Sequence, residues 1–309
     1  MDMESLDSLM IRVDALVTSM VMGSLSDQKD MVHTLRILSK RDDDHRLCIG
    51  DAGAIPHLVR LLSSPDPAVQ EDAITCLLNT SIAHANKGRI VETRGAIDRI
   101  ADTVRCGARE ESRQNAATTL FSVLMVEEYR NPIGEKEGVM TALLELLQHE
   151  SPRSRKDAIK ALFHLSLSPL NKSRIIRKGT LEILLAMVER RVRIPKRDDS
   201  GNVDNAAADA LALLTQLASC DEGVAALSKP KILALLVELL EPGESSRCRE
   251  HASAALLALC QTGGDAVVEK LIEFDVCVSA LCSLLSAGTQ RAKSKAGALL
   301  QLLMVNERS

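Results

Sequence analysis

A short phrase returns at nearly constant intervals along this chain, and this repetition limits the possible folds more than any other feature. Its copies read DAGAIPHLVRLLSS at 51–64, TRGAIDRIADTVR at 93–105, KEGVMTALLELLQ at 136–148 and RKGTLEILLAMV at 177–188. Each copy has a glycine, a small or apolar pair, and then aliphatic residues at helical spacing. The glycine-to-glycine intervals are 42, 43 and 41 residues, and aligning the apolar stretches at 232–240 and 277–285 adds intervals of 52 and 45.

Helical repeats with periods of about 40–47 residues are typical of α-solenoids of the armadillo or HEAT kind. We therefore predict an all-α, armadillo-type α-solenoid, a right-handed superhelix of six to seven three-helix repeats. One helix hairpin cannot bury its apolar stripe alone, so each copy covers the next. The predicted parts are an N-terminal cap at 1–27, a repeat array at 28–305 with junctions near 53, 95, 138, 179, 231 and 276, and a tail at 306–309.

Each repeat is predicted to contain a short first helix, a second helix after the glycine, and a longer third helix after a polar break. Asn86 and Asn171 stand where an N-cap is expected, and Asn131 precedes Pro132, a residue suited to the first helical position. The repeated glycine permits a sharp turn that a Cβ would resist. The charged stretch 190–205 has no apolar period, so we expect a surface loop between the second and third helices of its repeat.

The second helices also predict the core. Two columns of aliphatic residues recur at the same register and should be buried: Leu58, Ile100, Leu143 and Leu184, and then Leu62, Val104, Leu147 and Val188. Hydrophobic residues make up 46% of the chain but aromatic residues only 1%, so the core must be aliphatic. That composition argues against a large sheet, which favours β-branched and aromatic residues.

Composition also narrows the class of function. The net charge of −4 gives no reason to expect nucleic-acid binding. The acidic start lacks the basic region of a signal peptide, and no apolar run is long enough to span a membrane. We therefore expect a soluble, intracellular protein of the cytoplasm, the nucleus or both.

No pattern of catalytic or metal-binding residues stands out. The eight cysteines contain no CxxC pair and most lie in apolar helical stretches, which favours reduced, buried thiols over disulfides or metal ligands. The seven histidines show no zinc spacing, and the chain has neither a GxSxG motif nor a phosphate-binding loop. We predict no catalytic residue, no metal, no cofactor and no small-molecule substrate.

Three longer strings carry a family resemblance: DAGAIPHLVRLLSSPDPAVQEDAITCLLNTSI, ALFHLSLSPLNKSRI and GTQRAKSKAGALLQLL. They closely resemble the armadillo region of plant U-box ubiquitin ligases, over nearly all of 28–305. In that family the armadillo array binds protein partners and substrates, and a separate N-terminal U-box recruits the ubiquitin-charged conjugating enzyme. The resemblance thus implies a non-catalytic binding region in ubiquitin-dependent signalling.

The chain departs from the family at its start, because the residues before the first repeat are too few for a U-box and no U-box-like wording occurs. We expect either an armadillo-only relative or a truncated gene model. The main hypothesis is a scaffold that binds a partner in a concave groove. The alternative is the substrate-recognition part of a U-box ligase whose catalytic-adaptor domain is missing or supplied separately. An import receptor is disfavoured, because Trp is absent and only Asn79 remains in the family's asparagine column.

The resemblance implies that the third helices line the groove. Polar residues on that face are the candidate partner contacts, although simple solvation is the alternative: Asp30, Asp72, Thr75, Asn79, Asn115, Ser122, Asp157, Lys160, His164 and His251. Charge is also uneven, since residues 153–197 hold thirteen Lys or Arg against three acidic residues, a net +10. The candidate basic patch is Arg153, Arg155, Lys156, Arg174, Arg177 and Lys178. Such a patch can attract an acidic or phosphorylated protein or peptide, or be only a set of solvated charges.

Overall fold

The computed structural model describes residues 5–193, 206–274 and 276–306, and within these ranges every regular element is an α-helix. The helices, in chain order, are α1 Leu6–Met22, α2 Leu25–Ser39, α3 Asp43–Asp51, α4 Ala54–Leu61, α5 Pro67–Thr80, α6 His84–Glu92, α7 Ala96–Cys106, α8 Glu110–Leu124, α9 Glu127–Gly134, α10 Glu137–Leu147, α11 Pro152–Ser166, α12 Pro169–Arg177, α13 Thr180–Arg193, α14 Ala206–Leu217, α15 Asp221–Leu227, α16 Pro230–Glu238, α17 Ser246–Gly263, α18 Asp265–Ile272, α19 Val276–Ala287 and α20 Gln290–Asn306.

After the pair α1 and α2, the helices form six triplets. Each triplet consists of a short first helix, a second helix and a third helix, and the third helix is the longest in most triplets. The triplets are α3–α5, α6–α8, α9–α11, α12–α14, α15–α17 and α18–α20. The predicted armadillo-type α-solenoid of three-helix repeats is thereby confirmed. The chain divides into two compact units, Met1–Leu165 and Ser166–Ser309.

In each unit the third helices pack on one another in order, α2 on α5 and α5 on α8 in the first, and α14 on α17 and α17 on α20 in the second. The second helices supply the aliphatic columns predicted from the sequence. All eight predicted column residues are buried, with exposed fractions of 3% or less. Each such side chain contributes about 1.5–3 kcal/mol through burial.

Side-chain caps explain where several third helices begin. The Ser24 hydroxyl accepts a hydrogen bond from the Asp27 amide, and the Asp27 carboxylate accepts one from the Ser24 amide, which completes a capping box. Asp66 caps α5 with Pro67 in the first helical position. Because α2 starts at Leu25, the first third-helix begins three residues earlier than the predicted boundary at 28.

The glycine prediction holds at three junctions and fails at one. Gly53, Gly95 and Gly179 have φ values of 72°, 75° and 80°, a left-handed backbone that disfavours any residue with a Cβ. Gly138, by contrast, lies inside α10, which begins at Glu137 after an extended Lys136. The chain therefore enters the second helix of this repeat without a left-handed turn.

The predicted asparagine caps are wrong. Asn86 and Asn171 lie inside α6 and α12, where both are fully buried, and Asn131 precedes a proline inside α9. The Asn86 amide donates to the carbonyl of Thr80, at 3.2 Å, and to that of Arg46 in the preceding repeat, at 2.7 Å. Asn86 thus ties two repeats together.

The insertion starts later than predicted. Helix α13 continues to Arg193, because its last turns still bury Val188 and pair Arg193 with Glu189 at 3.3 Å. The rest of the predicted loop, 194–205, lies outside the described residues, as does the part of the predicted tail at 307–309. The described residues include no helix that is long and apolar enough to cross a membrane.

Candidate functional site

The third-helix face of the first unit carries all the predicted groove residues except His251, and most of them bond to a neighbouring repeat. His33 Nδ1 lies 2.9 Å from Asp72 Oδ2, and the Asn115 amide donates to the Thr75 hydroxyl at 2.9 Å. These pairs form one row of inter-repeat contacts across α2, α5 and α8.

A second row runs closer to the C-terminal ends of the same helices. The Asn79 amide donates to the Ser39 hydroxyl at 2.9 Å, and the Ser122 hydroxyl donates to the Ser81 carbonyl at 3.0 Å. The rings of Phe121 and His164 meet edge to face with centroids 5.0 Å apart.

The predicted residues thus lie on third helices, but the structure gives many of their side chains an internal role. Asp72, Ser122 and Asp157 are buried, whereas Thr75, Asn79, Asn115 and His164 are partly exposed. Asp30 and Lys160 are exposed, with Lys160 Nζ 5.6 Å from the Phe121 ring centroid. Since polar atoms that join helices are less available to a ligand, the first unit offers a partner fewer free groups than predicted.

Burial changes the electrostatics of two of these residues. Burial raises the pKa of the Asp157 carboxyl above its ordinary value, and the charges of Lys160 and Arg153 partly offset that effect. Burial lowers the pKa of His164, as does the positive charge of Arg130, while a hydrogen bond to the backbone of Leu124 opposes the change. His164 is therefore biased toward its neutral form.

The predicted basic patch falls into two groups. Arg153, Arg155 and Lys156 lie on α11 of the first unit, and Arg155 donates to the carbonyls of His149 and Glu150. The second group, Arg174, Arg177 and Lys178, lies on α12 and at its C-terminal end in the second unit, where Arg174 donates to Asn171 Oδ1 at 2.9 Å. Arg153, Lys156, Arg177 and Lys178 are exposed.

The second unit contains an open cavity of about 700 Å³ on its third-helix face. Helices α14, α17 and α20 line it with Thr215, Gln216, Glu250, His251, Ala254, Leu257, Ala258, Gln261, Gln290, Arg291, Ser294 and Lys295. We call this the α17 groove. Of the predicted contacts it contains only His251.

Small residues open the α17 groove. Ala254 and Ala258 occupy the registers that hold larger groups such as Lys160 and His164 in an earlier repeat. The sequence did contain this signal, because two alanines one turn apart on a predicted groove face leave space that neighbouring side chains do not fill. The prediction followed only a few registers of each third helix. It missed Gln216, Gln261, Arg291 and Lys295 because they lie at other registers.

The polar groups of the α17 groove differ in how far they are engaged. Glu250 accepts a hydrogen bond from the Thr289 hydroxyl at 2.6 Å, and burial lowers the pKa of His251 below its ordinary value. Within the part of the chain that the structure describes, neither Arg291 nor Lys295 forms an ion pair, and both side chains are exposed. The groove therefore presents two exposed cations beside three amide side chains, those of Gln216, Gln261 and Gln290.

Comparison with known proteins gives the family. A family model described as the plant U-box protein ARM repeat region matches residues 13–309. The chain belongs to this family. The match covers nearly all of the armadillo repeats of this chain.

Three relatives of this armadillo repeat region illustrate the match. It is 32% identical over 280 residues to U-box domain-containing protein 16 and 36% identical over 295 residues to U-box domain-containing protein 17, both of Arabidopsis thaliana. It is 34% identical over 300 residues to U-box domain-containing protein 1 of Medicago truncatula. These matches cover 91%, 96% and 97% of the chain, which spans only about 40% of the length of these relatives (39%, 39% and 41%).

Solved structures agree on the fold. The armadillo repeat region superposes on the crystal structure of an engineered protein with a TM-score of 0.80 at 22% identity, covering 94% of this chain and 68% of the other. A designed armadillo repeat protein matches with a TM-score of 0.50 at 18% identity, covering 94% and 99% respectively. At these identities the likeness concerns the fold alone.

Proposed function

We propose that this chain is a non-catalytic protein-binding region that holds a segment of a partner or substrate protein on its third-helix face. The observation that carries this proposal is the α17 groove, an open cavity built only from third helices. Its small floor residues admit a peptide chain, and the amides of Gln216 and Gln261 can pair with peptide backbone groups.

The available charges favour an acidic or phosphorylated segment. Arg291 and Lys295 are exposed on the α20 wall of the α17 groove, and exposed cations at the end of α12 add positive charge to the same unit. Charge-assisted hydrogen bonds to carboxylate or phosphate are about twice as strong as neutral ones. Nucleic acid has phosphates too, but the groove lacks the aromatic platforms on which bases stack.

Family membership supports a narrower second candidate, the substrate-recognition part of a U-box ubiquitin ligase. The relatives are named as U-box domain-containing proteins, and the matched part of each is about 40% of its length. Under this candidate the partner is a substrate for ubiquitin conjugation in the cytoplasm or nucleus, and the chain alone transfers no ubiquitin. A ubiquitination assay with the isolated chain, activating enzyme and conjugating enzyme tests that point, since autoubiquitination would contradict both candidates.

Filling the α17 groove is the direct test of binding. Ala258→Phe places a ring where the structure has a methyl group. We therefore expect this variant to lose the partner proteins that can be crosslinked to the unmodified chain and captured with it. The matched control is Glu238→Phe, which adds the same ring to an exposed position on α16 outside the groove. Equal capture by both variants would refute groove binding, and equal loss would mean that any added ring disturbs binding.

A further inference from the structure

The last repeat exposes an apolar face that is buried in every other repeat. Val278 and Leu285 lie on α19, the second helix of this repeat, and are 41% and 38% exposed. At the register of Val278 the earlier repeats hold Ile55, Ile97, Met140, Leu181 and Leu233, with exposed fractions of 0–4%. At the register of Leu285 they hold Leu62, Val104, Leu147, Val188 and Leu240, with exposed fractions of 0–3%.

The difference in exposure between α19 and the earlier second helices identifies the element that covers this face in the earlier repeats. Like the earlier second helices α4, α7, α13 and α16, α19 packs on the third helix of its own repeat, which is α20. Gly297 of α20, for example, lies next to Leu285, since a Cβ there would sit 3.7 Å from Leu285 Cδ2. In the earlier repeats the second helices also pack on one another, as α7 does on α10 and α16 on α19. The exposed face of α19 is therefore the kind of surface that packs on a neighbouring second helix in the earlier repeats.

Cys282 completes this surface. It lies between Val278 and Leu285 on one side of α19, four residues after the first and three before the second, and it is exposed. Its register holds Val59, Ala101, Leu144 and Val237, which are buried, and Leu185, which is partly exposed. We call Val278, Cys282 and Leu285 the terminal stripe.

The composition of α19 is unusual for an outer helix. Terminal repeats of solenoids need a polar outer face for solubility. Helix α19 reads VCVSALCSLLSA and has no charged residue from Val276 to Ala287. Met304, near the end of α20, adds a further exposed apolar side chain in the last repeat. An apolar, uncharged outer helix is the composition of an interface that another surface covers.

We propose that the terminal stripe is a homodimer interface, in which α19 of one chain packs antiparallel on α19 of a second copy. The stripe is nearly symmetric about Cys282, so a two-fold axis through Cys282 brings Val278 of each copy onto Leu285 of the other. An isologous contact places identical residues face to face, and a helix without charges avoids the like-charge repulsion that this imposes. The pairing extends the packing surface that already joins second helices within each unit.

This interface is separate from the α17 groove. None of the residues that line the groove lies on α19, so a dimer through the terminal stripe leaves the groove residues of both copies available. The complex would then present two grooves to one partner or to two.

Sedimentation and crosslinking of the full 309-residue chain test the proposal. We expect a mass that rises to twice the monomer mass with increasing protein concentration, and a monomer for Leu285→Glu under the same conditions. A short bismaleimide crosslinker should join two chains through Cys282 in a Cys106→Ser background, and peptide mass spectrometry should locate that crosslink. The control is Ile82→Glu, which places the same charge at another exposed aliphatic residue, 54% exposed, in the first unit.

Four results would overturn the inference: a monomer at every concentration, a dimer that survives Leu285→Glu, a dimer that Ile82→Glu dissociates equally well, or a dimer without the Cys282 crosslink. Circular dichroism of each variant separates loss of pairing from loss of folding. If Leu285→Glu unfolds the chain, Val278→Glu replaces it, because Val278 is slightly more exposed.

Discussion

Single residues of the first helices close the ends of the third helices that precede them. Arg46 Nε donates to the Ser39 carbonyl at 3.1 Å, and Arg130 Nε donates to the Leu124 carbonyl at 3.2 Å. Lys87 does the same at the end of α5. The last carbonyls of a helix have no partner within it and carry partial negative charge, so a cation there both satisfies and stabilises them.

Lys87 gives the first prediction. Its ammonium donates to the Ser81 carbonyl at 2.6 Å, the Ser122 carbonyl at 2.9 Å and the Ser122 hydroxyl at 2.7 Å, while burial lowers its pKa. Lys87→Met leaves these acceptors with fewer partners, so we expect the free energy of unfolding to fall by about 1–3 kcal/mol in urea titrations.

The control is Lys172→Met, because Lys172 has the same register in α12 but donates to the exposed Ser219 hydroxyl, at 2.7 Å. Its loss should cost less than about 1 kcal/mol, since water can replace the bond. Equal losses for the two variants would contradict the role assigned to the buried ammonium.

His164 gives a prediction about pH. Burial lowers its pKa in the folded chain, so below about pH 6.5 the unfolded chain binds a proton more readily than the folded chain does. The stabilisation is complete above the unfolded pKa and is lost as the pH falls toward the lower folded pKa. We therefore expect His164→Gln to lose less stability than the unmodified chain between about pH 7 and pH 5.

Thermal or urea unfolding at several pH values measures this difference. The free energies of the two proteins at about pH 8, where histidine is neutral, give the packing cost of the substitution alone and serve as the reference. Parallel pH profiles would show that His164 does not carry the expected dependence.

Within the elements, two glycines at the same register of different repeats should respond oppositely to alanine. Gly53 has a left-handed backbone and open space around its missing Cβ, so Gly53→Ala should cost about 1–2 kcal/mol through backbone strain alone. Gly138 lies in the first turn of α10, also with open space, so Gly138→Ala should add up to about 0.5–1 kcal/mol.

The two variants control each other, because the chemical change is the same and neither methyl group meets a neighbour within 4 Å. Urea midpoints that move in the same direction would contradict the two backbone assignments.

For the molecule as a whole, the distribution of charge is the property to test. The chain has a net charge of −4, whereas its segment 153–197 has a net charge of +10. We expect an immobilised phosphoserine-rich acidic peptide to retain the chain mainly through this segment. Reversing Arg153, Lys156, Arg177 and Lys178 to Glu should elute the chain at distinctly lower salt.

The matched control reverses four exposed cations outside the segment, namely Lys40, Arg41, Arg60 and Arg94. It makes the same change in net charge, so an equal shift in elution would mean that only total charge matters and that the segment has no special part.

The sequence by itself determined the period of the repeat, the three helices of each repeat and the aliphatic columns of the core. These features depend on spacing along the chain, and apolar residues at helical intervals must be buried wherever the helix lies. The recurring glycines already marked the period, and the phrases shared with the family carried the fold assignment.

Only the tertiary structure decided what individual polar residues do. Asn86 was predicted to cap a helix and instead bonds to the preceding repeat, and Ser122 was predicted to face a partner and instead bonds to Ser81 and Lys87. Their partners lie about 40 residues away in the chain, as the separations of 40, 35 and 41 show. The α17 groove and the terminal stripe likewise depend on what the neighbouring layer covers, and a local pattern does not contain that information.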